Sequence, residues 1–160
     1  MLAAFVSPAD SIIGWGIGQC FSTPLGGVIV VSFSVEELIK AAAEARENAY
    51  APYSNFRVGA AIMTKGHRCY TGCNIENASY GLTCCAERVA LFKAVANNER
   101  DFTAIALTTG TDKFISPCGA CRQVLAEFSL NIEVYMANKN GEYVVKSLAE
   151  LLPDAFKLEI

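Results

Sequence analysis

Three cysteines and one glutamate have the types and the spacing for metal-assisted hydrolysis. Cys85-Ala86-Glu87 is followed, after a long spacer, by Pro117-Cys118-Gly119-Ala120-Cys121. Three thiolates fill three corners of tetrahedral Zn²⁺ and leave the fourth open to water. A carboxylate two residues beyond the first ligand can sit beside that water without binding the metal. If burial raises its pKa, it can accept a proton from the water and deliver protons to a substrate. A structural zinc site, or free thiols in a reducing compartment, would also use a Cys-x-x-Cys pair. The added Cys-x-Glu element, the proline before the pair and the long spacer favour the catalytic arrangement.

The ligand set is narrowed by what the chain lacks. It has 160 residues and a single histidine, His67. His₃ and His-Glu-x-x-His zinc sites are therefore impossible, and a Ser-His-Asp triad would depend on a residue in a predicted hairpin turn. Any catalytic zinc, one per chain, must rest on cysteine. Seven cysteines, an odd count that includes the adjacent Cys84 and Cys85, fit a reducing cytoplasmic compartment better than a disulfide framework. Cys84 cannot readily share the metal with Cys85, because neighbouring side chains on a helix diverge by about 100°. It is expected to be a small buried apolar residue.

The formal charge is -3 and no basic cluster stands out. Nucleic-acid binders carry a basic face, so the expected partner is a small molecule and not a polymer. Hydrophobic residues make up 52% of the chain, enough for one full core. Residues 1–33 differ from the rest. Their only charge is Asp10, and Gly14, Gly16, Gly18, Pro24, Gly26 and Gly27 interrupt the apolar stretch. A membrane helix is a poor fit there, and the positive start of a signal peptide is missing. The expectation is an N-terminal extension, non-native or poorly ordered, ahead of a domain spanning 34–160.

The elements that must position the site follow from pattern. Ser34-Val35-Glu36-Glu37 is a capping box, and Leu38, Ala42, Ala45 and Ala49 share one helical face up to about Tyr50, where Pro52 stops the helix. Phe56 to Thr64 reads as a strand whose Gly59-Ala60-Ala61 lets a helix approach. Lys65-Gly66-His67 turns the chain into a second strand, about Arg68 to Cys73. A helix from about Cys84 to Ala96 is expected to bury Val89, Phe92, the stem of Lys93 and Ala96. Ala104 to Thr108 is a strand, and Cys118 opens a helix running to about Phe128. Glu133 to Ala137 and Tyr143 to Lys146 flank a tight turn and must pair antiparallel. Ser147 to Leu152 is a short helix. The order αββαβαββα predicts an α/β fold with a central mixed five-stranded sheet and helices on both faces, a three-layer sandwich. The metal residues then lie at helix starts, where the dipole favours thiolates. Arg88, on the same helix as Cys85, could offset the net -1 charge of a Cys₃ zinc site; a surface cation is the other reading.

Longer stretches carry a resemblance. Tyr50-Ala51-Pro52-Tyr53-Ser54-Asn55-Phe56-Arg57-Val58-Gly59-Ala60, Gly72-Cys73-Asn74-Ile75-Glu76-Asn77-Ala78-Ser79-Tyr80, Cys85-Ala86-Glu87-Arg88 and Ser116-Pro117-Cys118-Gly119-Ala120-Cys121-Arg122-Gln123-Val124-Leu125 together resemble a homotetrameric, Cys₃-zinc cytidine deaminase. The resemblance covers about residues 34–158. It implies zinc on Cys85, Cys118 and Cys121 and proton transfer by Glu87. It further implies Phe56 against the pyrimidine, Asn74 and Glu76 on the ribose hydroxyls, and the Ala86 backbone facing the base carbonyl. Phe156, in the Leu151-Leu152-Pro153-Asp154-Ala155-Phe156 tail, would reach a neighbour's pocket; capping its own core is the alternative. On residues alone, Phe56 would be plain core and Asn74 an ordinary loop residue. Gly66-His67 departs from the usual Asp-Gly turn of the family, away from the site.

The resemblance implies deamination of cytidine and deoxycytidine, with release of ammonia. An aminonucleoside-antibiotic deaminase of the same fold would lack the full Asn74-Ile75-Glu76-Asn77 run. A polynucleotide-editing relative would carry a helix where Asn138 to Gly141 makes a short turn. A binding module with structural zinc would need a fourth ligand, His67 or Cys73.

Overall fold

The computed structural model describes residues 33–158, so the expectation for an N-terminal extension lies outside the described residues apart from Phe33, which packs against the domain core. Helix α1, Val35–Arg46, starts at the predicted capping box: the Ser34 amide donates to Glu37 Oε2 at 2.8 Å and the Glu37 amide to Ser34 Oγ at 3.2 Å. It stops short of Tyr50. The amides of Glu47, Asn48 and Ala49 turn back to the carbonyls of Glu44, Ala45 and Arg46, and Tyr50 is drawn instead into a bridge with Ile75.

Five strands form one sheet: β1 Gly59–Thr64, β2 Cys69–Cys73, β3 Phe102–Thr108, β4 Glu133–Ala137 and β5 Tyr143–Ser147, ordered β2-β1-β3-β4-β5. Only β3 and β4 run parallel. That pair needs a crossover, and helix α3, Gly119–Ala126, provides it. The remaining helices are α2, Ala86–Ala96, and α4, Leu148–Leu151. Strand β1 begins at Gly59, not Phe56. Asn55 takes the left-handed region with φ 55°, and the backbone of residues 56–58 bonds to the Asn74 side chain before any strand partner is met.

Alternating strand residues divide the core between the two faces. Ala61, Met63, Ala106, Tyr135 and Ala137 face Leu38, Ile39 and Ala42 of α1. Ala60, Ile62, Ile105, Leu107, Val134 and Met136 join Ala90, Leu91, Ala94, Leu125 and Leu148 from α2, α3 and α4. The predicted three-layer sandwich is the observed architecture.

The buried face of α2 corrects the sequence expectation. Ala86, Glu87, Ala90, Leu91 and Ala94 are buried, whereas Phe92 is 50% exposed and Lys93 and Ala96 are exposed. Helix and sheet approach too closely for large side chains: a Cβ on Gly72 would lie 2.4 Å from the Ala90 amide nitrogen and 2.5 Å from the Ala86 carbonyl oxygen. Only alanines fit that contact. Gly59 meets α1 the same way, a Cβ there falling 2.0 Å from the Ala42 carbonyl oxygen.

Gly72→Ala should therefore destabilise the fold by about 2 kcal/mol or more, the cost of overpacking against backbone that cannot swing aside. Gly66→Ala, whose nearest neighbour would be Thr64 Oγ1 at 3.7 Å, should change stability little. Urea midpoints at one chain concentration compare the two; equal midpoints would show that α2 can shift outward freely.

Candidate active site

Cys85 and Cys118 are the N-cap residues of α2 and α3, and Cys121 lies in the first turn of α3. Their three sulfur atoms lie within 4.8 Å of one another, with Cys85 Sγ and Cys118 Sγ 4.0 Å apart. A tetrahedral Zn–S bond of about 2.3 Å implies a sulfur–sulfur edge of about 3.8 Å, so the donor set and its spacing suit zinc. Among the described residues, no fourth His, Cys, Asp or Glu joins the cluster. His67, a candidate fourth ligand for a structural site, sits in the β1–β2 turn with φ 59°.

The electrostatics of the cluster point the same way. The Cys85 thiol is pulled well below the usual range, first by a hydrogen bond from Cys121 and then, against its own burial, by Arg88. Cys121 is pushed up by donating to Cys85, by burial and by the charge on Glu87. Sulfurs that share protons in this way gain from a cation that accepts all three as thiolates. Arg88 Nη2 reaches Cys85 Sγ at 3.5 Å and the Thr83 carbonyl at 3.0 Å, so the guanidinium turns toward the cluster and not toward solvent.

Glu87 is 5% exposed, in the first turn of α2. Burial raises its pKa, and the negative charge on Cys85 adds to the rise. Ala86, beside it, is fully buried. Cys84 is half-buried, not fully buried as expected, because its backbone serves as a rung: the Ile75 amide donates to the Cys84 carbonyl at 2.9 Å and the Cys84 amide to the Ile75 carbonyl at 3.0 Å.

That rung ties a second group of residues to the cluster. On its other side, the Tyr50 amide donates to the Asn74 carbonyl at 3.0 Å and the Glu76 amide to the Tyr50 carbonyl at 2.8 Å. Glu76 accepts from the Tyr53 amide at 2.9 Å, the Ser54 amide at 3.2 Å and the Ser54 hydroxyl. Its pKa is lowered, chiefly by the Ser54 hydroxyl. Asn74 is buried; its Oδ1 accepts from the Val58 amide and its Nδ2 donates to the Phe56 carbonyl, each at 2.8 Å. Phe56 is 46% exposed, so it is not core. Tyr53, Ser54, Glu76, Tyr80 and Thr83 line a cavity of about 340 Å³, with the Tyr53 and Tyr80 rings edge to face at 6.0 Å.

Sequence reasoning missed Ser54 and the tail clamp on α3. Gln123 Nε2 donates to the Phe156 carbonyl at 2.8 Å, and the Phe156 amide donates to Gln123 Oε1 at 3.1 Å. Arg122 Nη1 holds the Leu151 carbonyl at 2.8 Å. Both residues stand within the matched motif, but no periodicity marks a side chain whose partner is backbone far along the chain. The Phe156 ring itself is 71% exposed and caps no core of its own. A second cavity, of about 410 Å³, lies between α1 and the β4–β5 turn. Its Lys40, Arg46 and Lys139 are paired with Glu44, Glu47 and Asp112, so among the described residues no unpaired cation lines it.

Comparison with known proteins gives a consistent result. Residues 33–137 match the family model described as the cytidine and deoxycytidylate deaminase zinc-binding region. The cytidine deaminase of Sporosarcina psychrophila is 50% identical over 126 residues, 78% of this chain and 93% of the relative. That of Halalkalibacterium halodurans is 53% identical over 123 residues, 76% and 93% of the two chains. The crystal structure of cytidine deaminase from Burkholderia pseudomallei is 53% identical, with a TM-score of 0.74 over 77% of this chain and 99% of the other.

If the cluster is the zinc site, Cys118→Ala should cut bound zinc from one ion per chain to less than about a tenth, because two thiolates and an uncompensated burial hold it poorly. Elemental analysis after dialysis checks this, and thermal unfolding should fall in parallel. Full zinc content in the variant would place the metal elsewhere.

Proposed function

The chain belongs to the cytidine and deoxycytidylate deaminase family, and from that premise we propose which of its residues perform zinc-dependent hydrolysis of cytidine and deoxycytidine to their uridine forms and ammonia. The observation that carries the reading is the buried Glu87 two residues beyond Cys85, next to three converging sulfurs.

Cys85, Cys118 and Cys121 would hold the ion, and bound zinc would supply the Lewis acidity that lets water ionise near neutral pH. Arg88, donating to Cys85 Sγ, removes electron density from the ligand set and offsets its excess negative charge. Glu87 moves the protons. Its carboxylate takes one from the attacking water and delivers it to the ring nitrogen; it then takes the second from the hydroxyl newly bonded to the ring carbon and passes it to the departing amine as that hydroxyl becomes the carbonyl. A raised pKa suits both directions of transfer. The balance is one water consumed and one ammonia released per nucleoside.

The substrate contacts rest on the same family membership. Phe56, half exposed beside the Asn74 clamp, provides an apolar wall for the pyrimidine, and the Ala86 backbone faces the base carbonyl. Glu76 and Asn74 hold sugar hydroxyls. Three donors already occupy Glu76, which leaves about one of its four acceptor sites free; Asn74 keeps one N–H and one lone pair. Residues 34–160 make up the deaminase domain, a reading supported by relatives covered over 93% of their length. The assembly is a homotetramer in the cytoplasm, with Phe156 reaching a neighbour's site. The exposed ring on a clamped backbone supports that role. Among the described residues, no helix is long and apolar enough to cross a membrane.

Glu87→Gln keeps size and one acceptor but cannot carry protons. Zinc content and substrate binding should persist while kcat falls by about 10⁴ or more, the upper end for a general acid–base group. Ammonia release from cytidine measures it; a variant retaining more than about a tenth of kcat would assign proton transfer to another residue.

Mixing tests the tail. Phe156→Ala chains, combined with Glu87→Gln chains after mild dissociation and reassociation, should form sites with an intact Glu87 and a borrowed Phe156. Activity should then exceed the sum of the parents. Activity equal to that sum, with mixed tetramers seen by native mass spectrometry, would remove Phe156 from the neighbouring site.

A further inference from the structure

Ser54 stands between the two groups assigned to the sugar and the base. Its hydroxyl has one proton, and that proton goes to Glu76 Oε1. The hydroxyl oxygen accepts from the Phe56 amide at 3.0 Å. The bonds therefore run in one direction, from the Phe56 N–H to Ser54 Oγ and on to the Glu76 carboxylate. Ser54 also donates its own amide to Glu76 Oε2, and the Tyr53 amide joins it there. On the far side of Phe56, its carbonyl is held by Asn74 Nδ2 at 2.8 Å. Between Ser54 and Phe56 sits Asn55 at φ 55°, a residue type that accepts the left-handed region and lets the chain turn sharply there.

A carboxylate in a solvent-facing cavity has several rotamers of similar energy. One that is to read a single hydroxyl needs a fixed orientation, and its donors must not compete for the face left open. Ser54 meets both needs. It takes up one lone pair of Oε1, and Glu76 itself lines the cavity that Tyr53, Tyr80 and Thr83 complete, where a remaining acceptor site can meet a ligand. Through its acceptance from Phe56 it also transmits that orientation to the residue facing the base.

We propose that Ser54 is a positioning residue that fixes the Glu76 carboxylate and ties it to the Phe56 backbone, so that the sugar-reading and base-facing groups are set as one unit. This rests on the assignment of Glu76 to a sugar hydroxyl. A serine that merely closed a turn would act independently of Glu76.

Steady-state kinetics on cytidine of the zinc-loaded wild type, Ser54→Ala, Ser54→Thr, Glu76→Gln and the Ser54→Ala/Glu76→Gln double variant separate the two roles. Ser54→Ala should lower kcat/KM about ten-fold, a loss typical of a hydrogen bond to a charged group, with most of it in KM. Ser54→Thr, which restores the hydroxyl, should recover to within about two-fold of wild type. In the Glu76→Gln background the same Ser54→Ala change should cost less than about three-fold, since the acceptor it orients is already altered. Zinc content and thermal midpoint should match wild type throughout. Three results would overturn the assignment: Ser54→Ala at wild-type kcat/KM, Ser54→Thr as impaired as Ser54→Ala, or an equal factor lost in both backgrounds. If Ser54→Ala does not fold, Ser54→Cys, a weaker donor of similar size, takes its place in the cycle with the same expectations. A Glu76→Gln variant indistinguishable from wild type would instead remove the sugar role of Glu76, and the inference with it.

Discussion

Three thiolates brought within a few ångströms of one another repel, and the molecule is arranged around making that tolerable. Zinc is the main remedy, but the chain prepares the place before the ion arrives. Two helix starts are brought together so that Cys85 and Cys118 occupy N-cap positions and Cys121 the turn that follows. Unpaired amides and dipole ends there favour negative sulfur. Arg88 adds a cation from within α2. Glu87 shares this setting with the opposite consequence: burial, and then neighbouring thiolate charge, raise its pKa, which supports the proton-carrying role proposed for it.

Bringing those helix starts together constrains the rest of the fold. Helix α2 must lie close to the sheet, which explains Gly72 opposite Ala86 and Ala90 and the run of alanines on its inner face. Helix α3 supplies the crossover between β3 and β4, the only parallel strands among the described residues, and carries Cys118 at its start. Its Arg122 and Gln123 then reach back to the carboxyl-terminal tail. A single short helix thus sets two of the three clustered cysteines and the course of the residues that end at Phe156.

A small irregular ladder joins the cysteine cluster to the loop proposed to face substrate. Ile75 bridges Tyr50 on one side and Cys84 on the other. Through it, the segment bearing Tyr53, Ser54 and Phe56, the Asn74–Glu76 loop and the start of α2 become neighbours although they are distant in sequence. Polar side chains finish what the backbone begins: Asn74 holds residues 56 and 58, and Glu76 gathers the amides of Tyr53 and Ser54. Hydrogen bonds to backbone, not apolar packing, give this region its shape, consistent with its exposed aromatic residues.

Local chemistry made much of this protein legible from residues alone. The capping box at Ser34 and Glu37, the apolar strand over Glu133–Ala137, the tight turn after it and the Cys-x-Glu and Cys-x-x-Cys elements each report a short-range constraint, and each is visible within a few positions. The clustered cysteines were readable for the same reason: sulfur type and helix-start position are properties of a short segment. What required the tertiary structure was every feature decided across the chain. Large residues on α2 suggested the wrong buried face, because the clearance set by Gly72 lies on another element. The starts of β1 and the end of α1 moved because Asn74 and Ile75 claim backbone groups that periodicity would assign to strand and helix. Ser54 and Gln123 carry no pattern, since a hydrogen bond to a carboxylate or a carbonyl far along the chain depends only on where folding brings that partner. Spacing along a chain encodes which groups can do chemistry; only packing determines which of them meet.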